Sequence, residues 1–460
     1  MAHDPPNKGG PDAKGGSRMG RLARLGGLTS RVSGSYLGQR IKGAFQDSET
    51  AQAALRTLHL ENAERVVETM GSLKGAAMKV GQSLALAVDG FDLPPEVSFI
   101  LGKLNDGAEP VPFDIIRAAV ERELEAPLHT LFDSFDPRPL GTASLAQAHA
   151  ATLPGGRRVV VKVLHHGIEA SVDSDLAALK SILVAGRLIR RPKEEIDGIF
   201  AEIRERLHEE LDYYQEAANL EYFRRNLRVE GVEVPRAVPE RSTGRVLTMD
   251  RIDGRNLDAF LADASPEARH LAGVRLVESF HEMYYRLRTL HADPHGGNYL
   301  FRDDGSIGIL DFGCVKRFSP YWVGDYARMA RGLVDRDPAL CLRGARAIEV
   351  ITSREPEAEQ ALMALGQAIC GPLQVDHFDA GGPADDTLDR VKTAMGPVLR
   401  RADLRGPPDL VFLHRTLGGI YGMLRKLRVD HTYRATFLKY TDYAIGVAEG
   451  RIQEDAAANR

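Results

Sequence analysis

Three oxygen-bearing side chains stand out by type and spacing. Asp293 and Asn298 fall in the stretch His291-Ala292-Asp293-Pro294-His295-Gly296-Gly297-Asn298, and Asp311 follows in Ile309-Leu310-Asp311-Phe312-Gly313. Phosphoryl transfer needs such a set: one carboxylate near the attacking oxygen, and a carboxylate with an amide to hold a divalent metal on the phosphates. By position, Asp293 takes the first role, and Asn298 with Asp311 the second. Between them lie two short apolar runs, Tyr299-Leu300-Phe301 and Ile307-Gly308-Ile309-Leu310, parted by Asp303-Asp304-Gly305. That pattern predicts a β-hairpin holding both metal ligands at one mouth.

The D-x-x-x-x-N spacing, with a histidine two residues before the aspartate and an Asp-Phe-Gly triplet after it, is that of protein-kinase catalytic and metal-binding loops. An isolated Asp-Phe-Gly arises often in turns; here the pieces come in order. Such a site needs a cation for the phosphates. Val159-Val160-Val161-Lys162-Val163-Leu164, after a turn at Pro154-Gly155-Gly156, reads as a buried β-strand. Lys162 is out of place there unless it serves something, as the phosphate-pairing lysine of a kinase strand does. An edge-strand lysine facing solvent is the alternative. Residues 196–223 read as one long helix carrying Glu210, Asp212 and Glu216. Glu216 is the candidate partner of Lys162, whereas the other acids also suit a solvated helix face. Strands are expected at 232–235 and 245–252. The second ends near Met249, where a hinge would offer backbone groups to an adenine.

The remaining elements are mostly helices. Residues 47–88 carry helical spacing, with Gly71, Gly75 and Gly81 marking a closely packed face, because glycine in a helix costs about 1 kcal/mol against alanine. Further helices are expected at 97–104, 113–124, 168–188 and 257–290. Beyond Gly313 they are expected at 323–333, 338–347, 356–365, 388–401 and 408–428. Residues 376–386 form a Gly/Asp-rich loop, and residues 456–460 are expected to fray. Residues 1–17 have the composition of a disordered tail. Residues 18–42 are basic, without acids, and interleave Leu22, Leu25 and Leu28. They suit contact with an anionic membrane surface, a targeting segment, or a helix packed on the main domain.

Bulk properties exclude several classes. The chain has 460 residues, 43% hydrophobic and 27% charged, an ordinary balance for a folded protein of two to three domain-sized units. A net charge of −4 gives no general basic excess for nucleic acid. Three cysteines without paired metal spacing favour a reducing compartment. No apolar run is long enough to cross a membrane, and the N-terminal residues lack the pattern of a secretory signal. A cytoplasmic location, peripheral at the inner face of a membrane, is the expectation.

Taken together the motifs resemble the UbiB atypical kinase family, also called ADCK, over nearly the whole chain. Lys79-Val80-Gly81-Gln82 matches its K-x-G-Q motif, Ala143-Ser144 with Gln147 and His149 its alanine-rich loop, and Lys162 its strand lysine. Glu210-Leu211-Asp212 matches E-x-D, with Glu216 and Asn219 following, and the Asp293 and Asp311 loops complete the set. The resemblance implies an α+β, bilobal protein-kinase-like fold: an N-terminal helical extension over 18–130, a small lobe with a helical insertion over 131–252, and a helical large lobe over 253–455. It implies ATP or ADP with Mg2+ as cofactors, nucleotide contact through Ala143, Ser144, Lys162 and Met249, and catalysis by Asp293, Lys162 and Glu216. Lys79, Gln82, Glu210 and Asp212 become regulatory residues over the nucleotide site. The implied work is ATP-dependent kinase or ATPase support of isoprenoid-quinone or related lipid metabolism, with lipid-biosynthesis enzymes as partners. A nucleotide-gated lipid- or partner-binding module and a conventional Ser/Thr protein kinase are the competing functions. Two departures matter: no glycine-rich loop precedes Lys162, and Gly141-Thr142 replace two alanines of the family's usual tetrad.

Overall fold

A computed structural model describes residues 110–459, except Ser144, His166 and 186–192, together with isolated positions between 27 and 65. Lys79 and Gln82, the basic segment 18–42 (four positions apart), and the helix expected at 97–104 lie outside the described residues. The chain divides into two compact units. The first ends at Tyr213 and takes in Pro239–Thr248, and the second comprises Tyr214–Val238 and Met249–Arg460.

In the first unit, helix α1 (Phe113–Glu123) precedes strands β1 (Ser134–Thr142), β2 (Ala146–Thr152) and β3 (Arg158–Leu164). Two helices follow, α2 (Ile168–Ala185) and α3 (Lys193–Glu209). Helix α4 (Tyr213–Asn226) and the short strand β4 (Val232–Glu233) lie mainly in the second unit, and β5 (Val246–Asp250) completes a sheet of order β1-β2-β3-β5. The turn between β2 and β3 is made by Gly155 and Gly156, both at positive φ, where glycine pays no steric cost. Register sorts the sheet into two faces, since opposed residues share a face. Val159, Val161 and Val163 lie opposite Ala151, His149 and Gln147, and all six are buried. Lys162 lies opposite Ala148 on the other face, with Val160 and Ala150, and all four are half-buried. The strand is therefore not buried on both sides as its unbroken apolar run suggests, and Lys162 does not interrupt the valine core.

The expected helix 196–223 is two helices. Between them Leu211 N donates to His208 O at 3.2 Å and Asp212 N to Glu209 O at 3.1 Å, a tight turn that ends α3. Glu210 and Asp212 thus sit in a break rather than on a continuous helix face. Helix α2 is described as far as Ala185, and its expected end at 188 lies outside the described residues.

In the second unit the expected helix 257–290 is also broken. Helix α5 (Leu257–Asp263) is capped by Asn256, and α6 (Pro266–His281) by Ser265, whose side chain accepts from Ala268 N. Both are favoured N-cap residues, and Pro266 sits where its missing N–H costs nothing. A π-turn over Glu282–Arg286 follows, and then strand β6 (Thr289–His291). Strands β7 (Tyr299–Phe301) and β8 (Ile307–Ile309) form the anticipated hairpin, and β8 also pairs with β4 in parallel. Strand β9 (Val315–Arg317) pairs antiparallel with β6.

Helices α7 (Pro320–Val334), α8 (Pro338–Ala347) and α9 (Pro356–Ile369) come next, then β10 (Phe378–Asp379), α10 (Thr387–Leu399) and α11 (Pro408–Leu427). Strand β11 (Asp430–His431) pairs with β10, and α12 (Tyr433–Ala448), which the sequence pattern did not reveal, packs on α7. The C-terminal stretch does not fray. Ala456–Asn459 is a 3-10 turn in which the Ala457 carbonyl accepts from Tyr222 Oη at 3.1 Å and the Ala458 carbonyl from Arg288 at 3.1 Å. Arg286 bonds both Glu282 in the π-turn and Asp455 beside that stretch.

Candidate active site

Hydrogen bonds within the second unit gather the acidic set. Leu310 N donates to Asn298 O at 2.9 Å, closing the β7–β8 hairpin so that Asn298 and Asp311 leave from the same end. Asn298 Nδ2 donates to the Asp293 carbonyl at 2.9 Å and to Asp293 Oδ2 at 3.2 Å. Spending the amide nitrogen on Asp293 leaves the amide oxygen as the donor available to a cation. Asp311 Oδ1 accepts from Gly313 N at 2.9 Å, which folds the triplet back on its own carboxylate.

Packing fixes the triplet from behind. Phe312 is fully buried, stacked on Phe223 of α4 with centroids 4.6 Å apart and tilted against His291 at 5.3 Å. Asn219 of α4 donates to the Phe312 carbonyl at 3.0 Å. Glu216, one turn earlier on α4, is buried, and its Oε2 lies 3.8 Å from where a Cβ on Gly313 would sit. A single helix therefore supplies Glu216, Asn219 and Phe223 to the metal-loop triplet.

His291 is buried under the loop, with Nδ1 3.3 Å from Tyr299 Oη. Burial lowers its pKa, against the opposing pull of Asp311 and Asp293. The ring packs against Tyr299 of β7 and against Phe312.

Two contributors were not anticipated from the sequence, although one of them left a signal there. Arg415 on α11 donates to the Ala292 carbonyl at 2.9 Å and lies 3.9 Å from Asp293 Oδ1. Gly419, one turn on, is where α11 meets the loop: a Cβ there would stand 2.6 Å from Pro294 Cγ and 3.0 Å from its carbonyl. The signal was present, because Gly418, Gly419 and Gly422 interrupt a helical pattern just as Gly75 and Gly81 do.

The first-unit residues are placed as follows. Lys162 Nζ lies 5.4 Å from the centroid of the Tyr213 ring. Ala143 sits where β1 turns into β2, its N donating to Ala146 O at 2.8 Å, and Ser144 lies outside the described residues. Gly141 and Thr142 belong to β1, opposite Ala148 and Gln147. A Cβ on Gly141 would meet nothing within 4 Å, and its φ is not left-handed, so neither space nor backbone requires a glycine there. Gln147 and His149 face the core. Gln147 Oε1 accepts from Val111 N at 2.8 Å, and His149 Nδ1 donates to the Asp136 carbonyl at 2.8 Å. Gln147 thereby fastens the segment before α1 to the sheet, and His149 ties β2 to β1. Met249, in the second unit, is buried in β5 and bridged to Ala237.

The donors suit a hard divalent cation, being a carboxylate and an amide oxygen. No group of three or more His, Cys, Asp or Glu suited to a metal occurs among the described residues. Asp311 and Asn298 would hold such an ion, with the rest of its shell left to substrate oxygens or water.

The model of the ABC1 atypical kinase-like domain matches residues 103–344, more than half of the chain. The chain belongs to this family. Among UbiB/ADCK relatives, the Danio rerio atypical kinase COQ8B, mitochondrial, is 28% identical over 454 residues, covering 95% of this chain and 70% of the relative. The Saccharomyces cerevisiae atypical kinase COQ8, mitochondrial, is 29% identical over 416 residues, 88% of this chain and 81% of the relative. A probable protein kinase UbiB of Marinobacter nauticus is 31% identical over 398 residues, 81% of this chain and 68% of the relative. The solved Mycobacterium tuberculosis protein Rv3197, in complex with erythromycin, shares the fold with a TM-score of 0.59 at 24% identity, over 85% of this chain and 97% of that one. The UbiB/ADCK assignment made from the motifs holds, and with it the kinase-like fold and the enzyme class, an atypical kinase.

Proposed function

We propose that this UbiB/ADCK member transfers the terminal phosphoryl group of ATP with Mg2+, as a kinase or ATPase supporting isoprenoid-quinone or related lipid metabolism. The observation that carries it is the joint tethering of Asp293, Asn298 and Asp311: one amide nitrogen orders the carboxylate for the acceptor, while the hairpin bond sets that amide beside Asp311. Asp293 positions the acceptor hydroxyl or water and takes its proton. Asp311 and the Asn298 amide oxygen would hold the ion, which when bound neutralises charge on the phosphates. Lys162 serves as phosphate clamp on the strength of its match to the family's strand lysine, and backbone groups from Met249 onward receive the adenine. Glu210, Asp212, Lys79 and Gln82 take the regulatory roles of their motifs, and Ala143-Ser144 restrict the loop in place of a glycine-rich one.

Asp311→Asn should abolish Mg-dependent ATP turnover in the purified chain. Turnover equal to the unaltered protein would overturn the assignment. The quinone connection draws on relatives named COQ8 and UbiB. For the membrane, no described helix is long and apolar enough to cross one. The basic segment 18–42 supplies peripheral contact with anionic lipid, and its removal should reduce co-sedimentation with anionic vesicles.

A further inference from the structure

Between Asp293 and Asn298 the loop contains a single side chain able to donate a hydrogen bond, His295; the others are Pro294, Gly296 and Gly297. Its backbone is fixed at both ends, its N donating to Asp293 O and its carbonyl accepting from Asn298 N, each at 2.8 Å. Its ring is fixed as well. Nδ1 accepts from Gly297 N at 3.1 Å, so in the neutral ring the proton sits on Nε2. A Cβ on Gly297 would stand 3.1 Å from Nδ1 and 3.5 Å from Cε1, so glycine is what lets the imidazole lie over the turn. The residue is exposed, and among the described residues Nε2 has no hydrogen-bond partner recorded. A cap needs only an acceptor, which Asn, Asp or Ser supplies with fewer atoms. Histidine supplies the same acceptor and adds a second nitrogen with its hydrogen directed away from the turn.

We propose that His295 is a catalytic residue whose Nε2–H bonds an oxygen of the phosphoryl group in transfer. The inference rests on the kinase reading above. In that step the acceptor oxygen forms a bond to the terminal phosphorus while the bond from phosphorus to the ADP oxygen breaks. The electron pair stays on ADP and the acceptor's proton passes to Asp293. Asp293 and Asn298 are engaged with the acceptor and the ion, so the loop has one donor left for the charge spread over the phosphoryl oxygens, and a preorganised donor aimed at such charge contributes strongly to rate.

The test is His295→Ser in the full chain, measured for ATP turnover with Mg2+ and for binding of a non-hydrolysable ATP analogue. Ser keeps an acceptor for Gly297 N, and its short hydroxyl does not reach the position of the outward N–H. Expected is a kcat lower by about 100-fold with analogue affinity unchanged. Turnover close to that of the unaltered chain, or a loss of analogue binding that matches the loss of turnover, overturns the role of His295. An unaltered chain that turns over no ATP overturns the kinase reading itself, and this inference with it.

Discussion

Asn298 shows how one residue serves two partners: its nitrogen steadies Asp293 and its oxygen is left for the ion. The acidic trio was legible because the chemistry ties residue type to spacing within a short stretch. Arg415 was not, since a cation on a helix more than a hundred residues downstream looks like any other solvated charge until the fold carries it to the loop. It donates to the Ala292 carbonyl and packs its guanidinium 5.3 Å from the Phe412 ring centroid. Arg415→Met keeps the apolar stem and removes the donor. The loop carbonyl then goes unbonded, costing about 1–3 kcal/mol of stability. Turnover should drop by about tenfold, because an Asp293 displaced by a fraction of an ångström meets its acceptor less often in line. Urea midpoints and kcat measured on the same preparation check both effects.

Helix α11 is a buttress, and its glycines divide by what faces them. Gly419 abuts Pro294, whereas a Cβ on Gly418 or Gly422 would meet nothing within 4 Å. Gly419→Ala should push the helix off the catalytic loop, lowering both melting temperature and turnover. Gly418→Ala should leave turnover alone and stabilise by up to about 1 kcal/mol through helix propensity. Identical effects from the two changes would contradict the close approach at Gly419. Elements of this length were largely readable: α8 begins and ends at the expected residues 338 and 347, and the β7–β8 hairpin lies where the two short apolar runs placed it. The misreadings share a cause. Residues 196–223 and 257–290 keep apolar spacing through their breaks, and tertiary bonds such as Tyr213 N to Gly244 O decide where the helix yields. No periodicity encodes the π-turn at 282–286, in which Glu282 pairs with Arg286 and accepts from Tyr440 Oη at 2.9 Å.

Across the whole chain, buried histidines set the response to acid. His281 is buried, donates Nδ1–H to Val277 O at 2.8 Å, and has its pKa held down to about 4 by desolvation. Burial likewise lowers His149, and lowers His414 to about 4. Each folded pKa lies below the unfolded 6.5, so the unfolded chain takes up protons first as pH falls. Stability is complete above about pH 6.5 and declines towards pH 4, with His281 alone responsible for roughly 1–3 kcal/mol. Chemical denaturation at pH 7.5 and 5 should show the decline, and His281→Phe should flatten it. At this scale the sequence disclosed a kinase-like plan, but not the tie between Tyr222 and Ala457, because a tyrosine and a carbonyl carry no mark of each other. That tie has a temporal consequence. Tyr222 lies one turn beyond Asn219 on α4, and the carbonyl that receives its hydroxyl is translated 235 residues later. A ribosome thus finishes Glu216 and the Asp-Phe-Gly triplet long before the clasp behind their shared helix exists, so a nascent chain keeps its catalytic parts unlatched until this late segment emerges.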